Sequence, residues 1–155
     1  MRLSTKEQYG LRMMVELARY HGQGPVALSQ VAQTQQLPLP YLEQIVIPLR
    51  HAGLLSSARG AHGGYALART PDQISVGDVV RALEGAILPI PCIEEESGAR
   101  CERKGICAVS NVWEVIHARL VDTLDAMTLS GLLAAAAQPA AGQEPATCRS
   151  HRSAD

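Results

Sequence analysis

Cys92, Cys101 and Cys107 lie in one stretch that also holds Pro89, Pro91, Gly98 and Gly105, and they are separated by eight and five residues. Thiolates are soft ligands, and three at one flexible site can hold an iron–sulfur cluster or zinc. The residues alone fit loop thiols that bind nothing equally well. A second constellation is Arg59-Gly60-Ala61-His62-Gly63-Gly64, an arginine at the head of a glycine-rich turn. An Arg on so slim a tip suits the minor groove of duplex DNA, where the potential is most negative. The third is Tyr41, Glu43 and Gln44. Gln pairs bidentately with adenine, Glu accepts from cytosine N4, and Tyr reaches a phosphate or a thymine methyl. Arg50 and His51, further along, are placed for DNA-backbone contact. Catalysis finds no support. The glycines at 60–64 sit between two strand-like runs, the wrong context for a phosphate loop, and no Ser/His/Asp arrangement is evident.

These residues need elements to hold them. Tyr9, Met13, Val15–Leu17 and Tyr20 recur at helical spacing and predict a helix from about Thr5 to Tyr20, stopped by His21-Gly22-Gln23-Gly24-Pro25. A short helix follows over Leu28 to Gln36, then a Pro-rich turn, then a third helix over Pro40 to His51. Leu42, Ile45, Val46 and Leu49 form its apolar stripe, and Pro48 is expected to kink its last turn. Leu54–Ala58 and Tyr65–Leu67 read as a hairpin around the Arg59–Gly64 tip. Helices, a turn, a helix and a hairpin are the order of a winged helix-turn-helix, whose third helix offers its N-terminal residues to base edges. The expected class is therefore mostly α, with a small β-hairpin wing.

Ser75 is placed to cap a fourth helix over Val76 to Leu83. Pro89 to Cys107 then carries few helix or strand cues, and a loop that long is usually functional or disordered. Val109, Val112, Trp113, Ile116, Leu120, Leu124 and Met127 make one apolar seam on a helix nearly 30 Å long. That is more apolar length than one small body covers, so the seam predicts a homodimer. Thr128 is expected to cap a last short helix through Ala137. The expected division is a DNA-binding part over 1–84, a cysteine loop over 85–108, a dimerisation region over 109–137, and a disordered Ala/Pro/Gln/Ser-rich tail over 138–155.

Composition agrees with this plan. With no Phe and one Trp, the core must be aliphatic. The net charge of −1 conceals an asymmetry: residues 1–70 hold seven Lys/Arg against three Asp/Glu, a net of +4, and residues 71–155 hold seven against twelve, a net of −5. A basic first half suggests a polyanionic partner. Glu94-Glu95-Glu96 reads as a solvated acidic loop. No apolar leader or membrane-length run is present, so a cytoplasmic protein without membrane attachment is expected. Cysteines in that compartment favour metal or redox chemistry over structural disulfides.

Several segments together resemble one family. Met1-Arg2-Leu3-Ser4-Thr5-Lys6, Tyr41-Leu42-Glu43-Gln44, Leu49-Arg50-His51-Ala52-Gly53-Leu54 and Arg59-Gly60-Ala61-His62-Gly63-Gly64-Tyr65 are similar to the Rrf-type (IscR-, CymR- and NsrR-like) winged helix-turn-helix regulators, over about residues 1–135. The resemblance implies a homodimer on palindromic double-stranded operator DNA. Tyr41, Glu43 and Gln44 would read bases and Arg59 the minor groove, with Arg50, His62, Gly63 and Gly64 beside them. Pro40 stands where relatives often carry Ser, which removes one hydroxyl contact, and Pro48 resembles the cysteine-metabolism branch.

The resemblance also implies an iron–sulfur cluster, [2Fe–2S] or [4Fe–4S], on Cys92, Cys101 and Cys107, although the first two are further apart than is usual in cluster-binding relatives. The fourth ligand is open. Ser110 stands where IscR-like members have His, Glu7 of the partner subunit lies near the position of the carboxylate in NsrR-like members, and His117 and a non-protein ligand complete the set. Cys148 falls in the tail. The alternative is a CymR-like cysteine-metabolism repressor controlled by a protein partner, with no cluster.

Overall fold

The first helix is defined by its cap. The Ser4 hydroxyl accepts from the Glu7 amide at 3.1 Å, and the Glu7 carboxylate accepts from the Ser4 amide at 2.5 Å. This reciprocal pair satisfies two donors that a helix start otherwise leaves without partners. The computed structural model describes residues 4–60, 63–87, 107 and 109–137. From Ser4 the chain enters α1 (Thr5–Arg19), which buries Met13, Met14 and Leu17. α2 (Leu28–Gln35) buries Leu28, Val31 and Ala32.

Gln36 ends α2 in the left-handed region at φ 52°, and the Leu37 amide reaches back to the Ala32 carbonyl at 2.9 Å. This conformation favours glycine, and a side chain there costs roughly 1 kcal/mol or more. Gln36→Gly is therefore expected to stabilise the protein, by up to about 1 kcal/mol after the added freedom of the unfolded chain is counted. Thermal unfolding checks this, and a lowered melting temperature contradicts it.

α3 (Leu39–His51) starts one residue before the sequence expectation because Pro38, extended at ψ 120°, serves as its N-cap and Pro40 fits its first turn. The helix continues through Pro48 to His51 and buries the expected Leu42, Ile45, Val46 and Leu49. β1 (Leu55–Ala58) and β2 (Gly64–Leu67) pair antiparallel, Leu55 opposite Leu67 and Ala58 opposite Gly64. Val26, in the link from α1 to α2, adds a third line of pairing. Its amide donates to the Tyr65 carbonyl at 2.9 Å and its carbonyl accepts from the Tyr65 amide at 2.8 Å.

A 3-10 turn over Pro71–Gln73 leads to α4 (Val76–Glu84), where Ser75 and Asp78 form a second reciprocal cap at 3.0 Å each way. α5 (Ser110–Ala126) and α6 (Leu129–Ala137) complete the described elements. Thr128 caps α6, its hydroxyl accepting from the Gly131 amide at 3.1 Å.

The core is aliphatic and falls into two clusters. The larger joins α1, α2, α3 and the wing strands through Leu17, Val31, Leu42, Leu49, Leu55 and Leu67. Leu129 of α6 lies in it, wholly buried, so the chain returns to its N-terminal body after α5. The smaller cluster is Val76, Val80 and Ile87, with Leu120, Val121 and Leu124 of α5 packed against it. The apolar seam expected along one face of α5 thus divides. Leu120 and Leu124 pack on α4 of the same chain, whereas Val112, Trp113 and Ile116 stand exposed. The result is a mostly helical winged helix-turn-helix.

Candidate nucleic-acid interface and cysteine site

The buried stripe of α3 turns its other face outward. Pro40, Glu43, Gln44, Ile47, Arg50 and His51 are all exposed. Glu43 and Gln44 therefore present their polar ends to solvent from the second turn of the helix, a position from which a helix in a major groove meets base edges. Tyr41 differs from its neighbours. It is half-buried, and its ring packs edge-on against Tyr9, with centroids 5.4 Å apart and planes at 79°. Tyr9 thereby braces the first turn of α3 against α1.

Arg59 is exposed just past the end of β1, and Gly60 takes φ 114°, which turns the chain at the tip. His62 lies outside the described residues. Gly63 and Gly64 are required by packing. A Cβ on Gly63 would sit 2.5 Å from the Ala58 carbonyl oxygen, and one on Gly64 would collide with the Val26 carbonyl. Gly63 keeps the tip of the wing thin, and Gly64 lets β2 lie against the α1–α2 link.

A buried polar network positions α2. Glu16 is 2% exposed and accepts from Gln35 Nε2 at 2.8 Å and from Arg19 Nη1 at 3.1 Å. Arg12 in turn donates Nε–H to Gln35 Oε1 at 3.3 Å and Nη2–H to the Gln35 carbonyl. A buried carboxylate is costly unless paired in this way. The pairing fixes the last turn of α2 to α1, directly before the turn into α3. Sequence reasoning missed Glu16, because a charged residue between Val15 and Leu17 looks like any solvated helix position.

Of the cysteines, Cys107 alone falls within the described residues; Cys92, Cys101 and Cys148 lie outside them. Cys107 is half-buried just ahead of α5, and the Ser110 hydroxyl donates to its carbonyl at 2.8 Å. Ser110 thus already has a structural partner at the helix start. The Glu7 carboxylate is committed to its own cap at Ser4 and is only 8% exposed. His117 lies two turns up α5, roughly 10 Å beyond its first residue. Among the described residues no cluster of three or more His, Cys, Asp or Glu could hold a metal ion. Cys107 is placed so that a restraint on it is felt at the first turn of α5.

α5 is joined to the body at its other end. Arg81 of α4 donates from Nη2 to Asp125 Oδ2 at 2.5 Å and also lies 3.8 Å from Asp78. The hydrogen bond that Arg81 donates to Asp125 holds its guanidinium above its ordinary, already high, pKa range. Gly77 lets the helices approach, since any Cβ there would run into the Asp125 carboxylate. Among the described residues no helix is long and apolar enough to cross a membrane.

Comparison with known proteins agrees with this geometry. The profile of the Rrf2 family, described as an iron-dependent transcriptional regulator, matches residues 3–135. The transcriptional regulator CymR of Bacillus subtilis is 46% identical over 132 residues, 85% of this chain and 89% of that protein. The solved structure of that global cysteine regulator superposes with a TM-score of 0.70 at 44% identity, covering 87% of this chain and 98% of the other. IscR from T. potens superposes with a TM-score of 0.72 at 40% identity, covering 92% and 94%. The proteins of this family are transcriptional regulators and not enzymes. Winged fold, outward-facing α3 and near full-length similarity lead to one assignment: the chain belongs to the Rrf2 family of DNA-binding transcriptional regulators.

Proposed function

We propose that the protein is a homodimeric, cytoplasmic repressor that reads a palindromic operator with α3 and the wing, and that Cys92, Cys101 and Cys107 report iron–sulfur or redox status. The observation that carries this is the location of Cys107 at the foot of α5, the helix whose free half is apolar. In the DNA-reading part, Glu43 and Gln44 meet base edges, Arg59 enters the minor groove and Arg50 contacts phosphate; His62, Gly63 and Gly64 shape the tip. Tyr41, braced by Tyr9, reads a base beside Glu43 and Gln44 or reaches a phosphate.

Three thiolates from one chain are the right donor class for a cluster, and the family's iron-dependent description supports that choice. A [2Fe–2S] or [4Fe–4S] group held there would supply a restraint that is lost when iron or reducing conditions fail. The chain's own residues pass that restraint on. Ser110 ties Cys107 to the first turn of α5, Arg81 and Asp125 tie α5 to α4, and α4 packs on α1 and α3. Operator affinity then follows the state of the cysteine loop.

Anaerobic reconstitution tests the sensing half. The wild type is expected to be coloured, with visible absorption and bound iron and sulfide, and the Cys92→Ser, Cys101→Ser, Cys107→Ser triple variant is expected to be colourless. A wild type without iron or sulfide removes the cluster. The 46% identity to CymR favours a second reading, a cysteine-metabolism repressor controlled by a regulatory protein partner. Under it the triple variant binds and releases the operator as the wild type does.

A further inference from the structure

Every exposed large hydrophobic side chain among the described residues lies between Val109 and Met127 except one, Ile47, which is 51% exposed. Its place on α3 is specific. At about 100° per residue, Ile47 falls roughly 40° from Glu43 and roughly 60° from Gln44, between the two and one turn further along. On the next turn Arg50 and His51 flank it to either side, both exposed. Ile47 is therefore on the midline of the outward face, bordered by polar residues on each side. Among the described residues, it is one of the exposed large hydrophobics, 51% open to solvent.

The surroundings say what covers it. The face belongs to a helix-turn-helix of a DNA-binding family, it carries Arg50, and it lies in the half of the chain with a net charge of +4. The complementary surface is a polyanion, and the major groove of duplex DNA admits a helix. Base edges in that groove offer hydrogen-bonding groups and one apolar group, the C5 methyl of thymine. The Ile47 side chain has no donor or acceptor. Set against cytosine it would strip water from the N4 amino group and return nothing, whereas against thymine it covers a methyl.

We infer that Ile47 is a specificity-determining residue that reads a thymine methyl in the major groove, one to two base-pair steps from the bases met by Glu43 and Gln44. This rests on the placement of α3 in that groove, and it adds an apolar reading position to the polar ones. Selection from random duplexes supplies the operator of the full-length protein. Each thymine of a half-site is then replaced in turn by deoxyuridine, which keeps the pairing and removes only the methyl group.

One position in each half-site is expected to lower wild-type affinity by roughly threefold to tenfold, the worth of one to two buried methyl-sized groups. The same replacement is expected to leave the affinity of Ile47→Ala unchanged. That variant alters an exposed side chain, so its melting temperature should match the wild type, and Ile47→Val should retain part of the methyl dependence. Two results overturn the inference: wild-type binding indifferent to every thymine methyl, or Ile47→Ala as methyl-dependent as the wild type. Gln44→Ala separates this failure from a wider one. If it leaves the selected sequence unchanged, α3 does not lie in the groove and both readings fall; if it relaxes the sequence while no methyl matters, only the role of Ile47 falls.

Discussion

A protein carrying Val112→Asp with Ile116→Asp is expected to be a folded monomer that binds its operator at least about 100-fold more weakly than the wild type. The two side chains are 52% and 43% exposed and lie one turn apart on the free half of α5. They touch neither core cluster, so charging them leaves the winged domain and the Leu120–Leu124 packing in place. In a dimer they would be buried, and two unpaired carboxylates in an apolar interface are costly enough to separate the subunits. A monomer engages one half-site at a time and loses the gain from tethering two. Sedimentation gives the oligomeric state and titration of a labelled operator gives the affinity. A variant that stays dimeric with full affinity would place the subunit interface elsewhere.

The next largest effect is expected from Gly64→Ala. The added methyl would meet the carbonyl of Val26 and the amide of Ala27, and these are main-chain atoms that no rotamer change moves aside. Relief requires β2 to separate from the α1–α2 link, which breaks both hydrogen bonds between Val26 and Tyr65. A loss of roughly 2–4 kcal/mol is expected from this clash and the broken pairing. The wing carrying Arg59 also loses its fixed position, so operator affinity should fall by more than the folded fraction does. Ser57→Ala, exposed on the facing strand opposite Tyr65, is the control and should change neither. Chemical denaturation and operator titration distinguish the outcomes, and a Gly64→Ala protein of native stability would refute the packing role.

Much of this architecture is legible in the residues, for local reasons. Ser75 and Thr128 were readable as caps because a hydroxyl before a helical pattern satisfies donors within three residues, and both do so. The stripe Leu42, Ile45, Val46 and Leu49 sets the outward face of α3 and hence the exposure of Glu43 and Gln44. What was not legible depends on distant partners. The Pro-rich stretch after Gln36 marks the end of α2, but no local signal announces the left-handed turn at Gln36 itself, where glycine is the usual residue. The Val26–Tyr65 pairing joins residues far apart in sequence, and only it explains why Gly64 cannot be anything larger. The periodicity of α5 was correct but silent on ownership. An apolar seam reads the same whether its partner is α4, as for Leu124, or lies outside the chain. The same holds for Ile47, which looks like part of the apolar pattern and becomes notable only once the fold turns it outward.

The joint between Arg81 and Asp125 also has a mechanical consequence. α5 is clamped near its C-terminal end, while Cys107 and Ser110 lie at the other, about 22 Å away along the axis. Such a helix acts as a lever with its fulcrum on α4. Because Leu120 also packs on α4, the free arm from Leu120 to Ser110 is about 15 Å, and a tilt of about 8° swings its end by about 2 Å, the scale of displacement that repacks subunit interfaces in switching proteins. Run in reverse, the lever trades distance for force: a small group pulling on Cys107 has long leverage over the packed end that bears on α4.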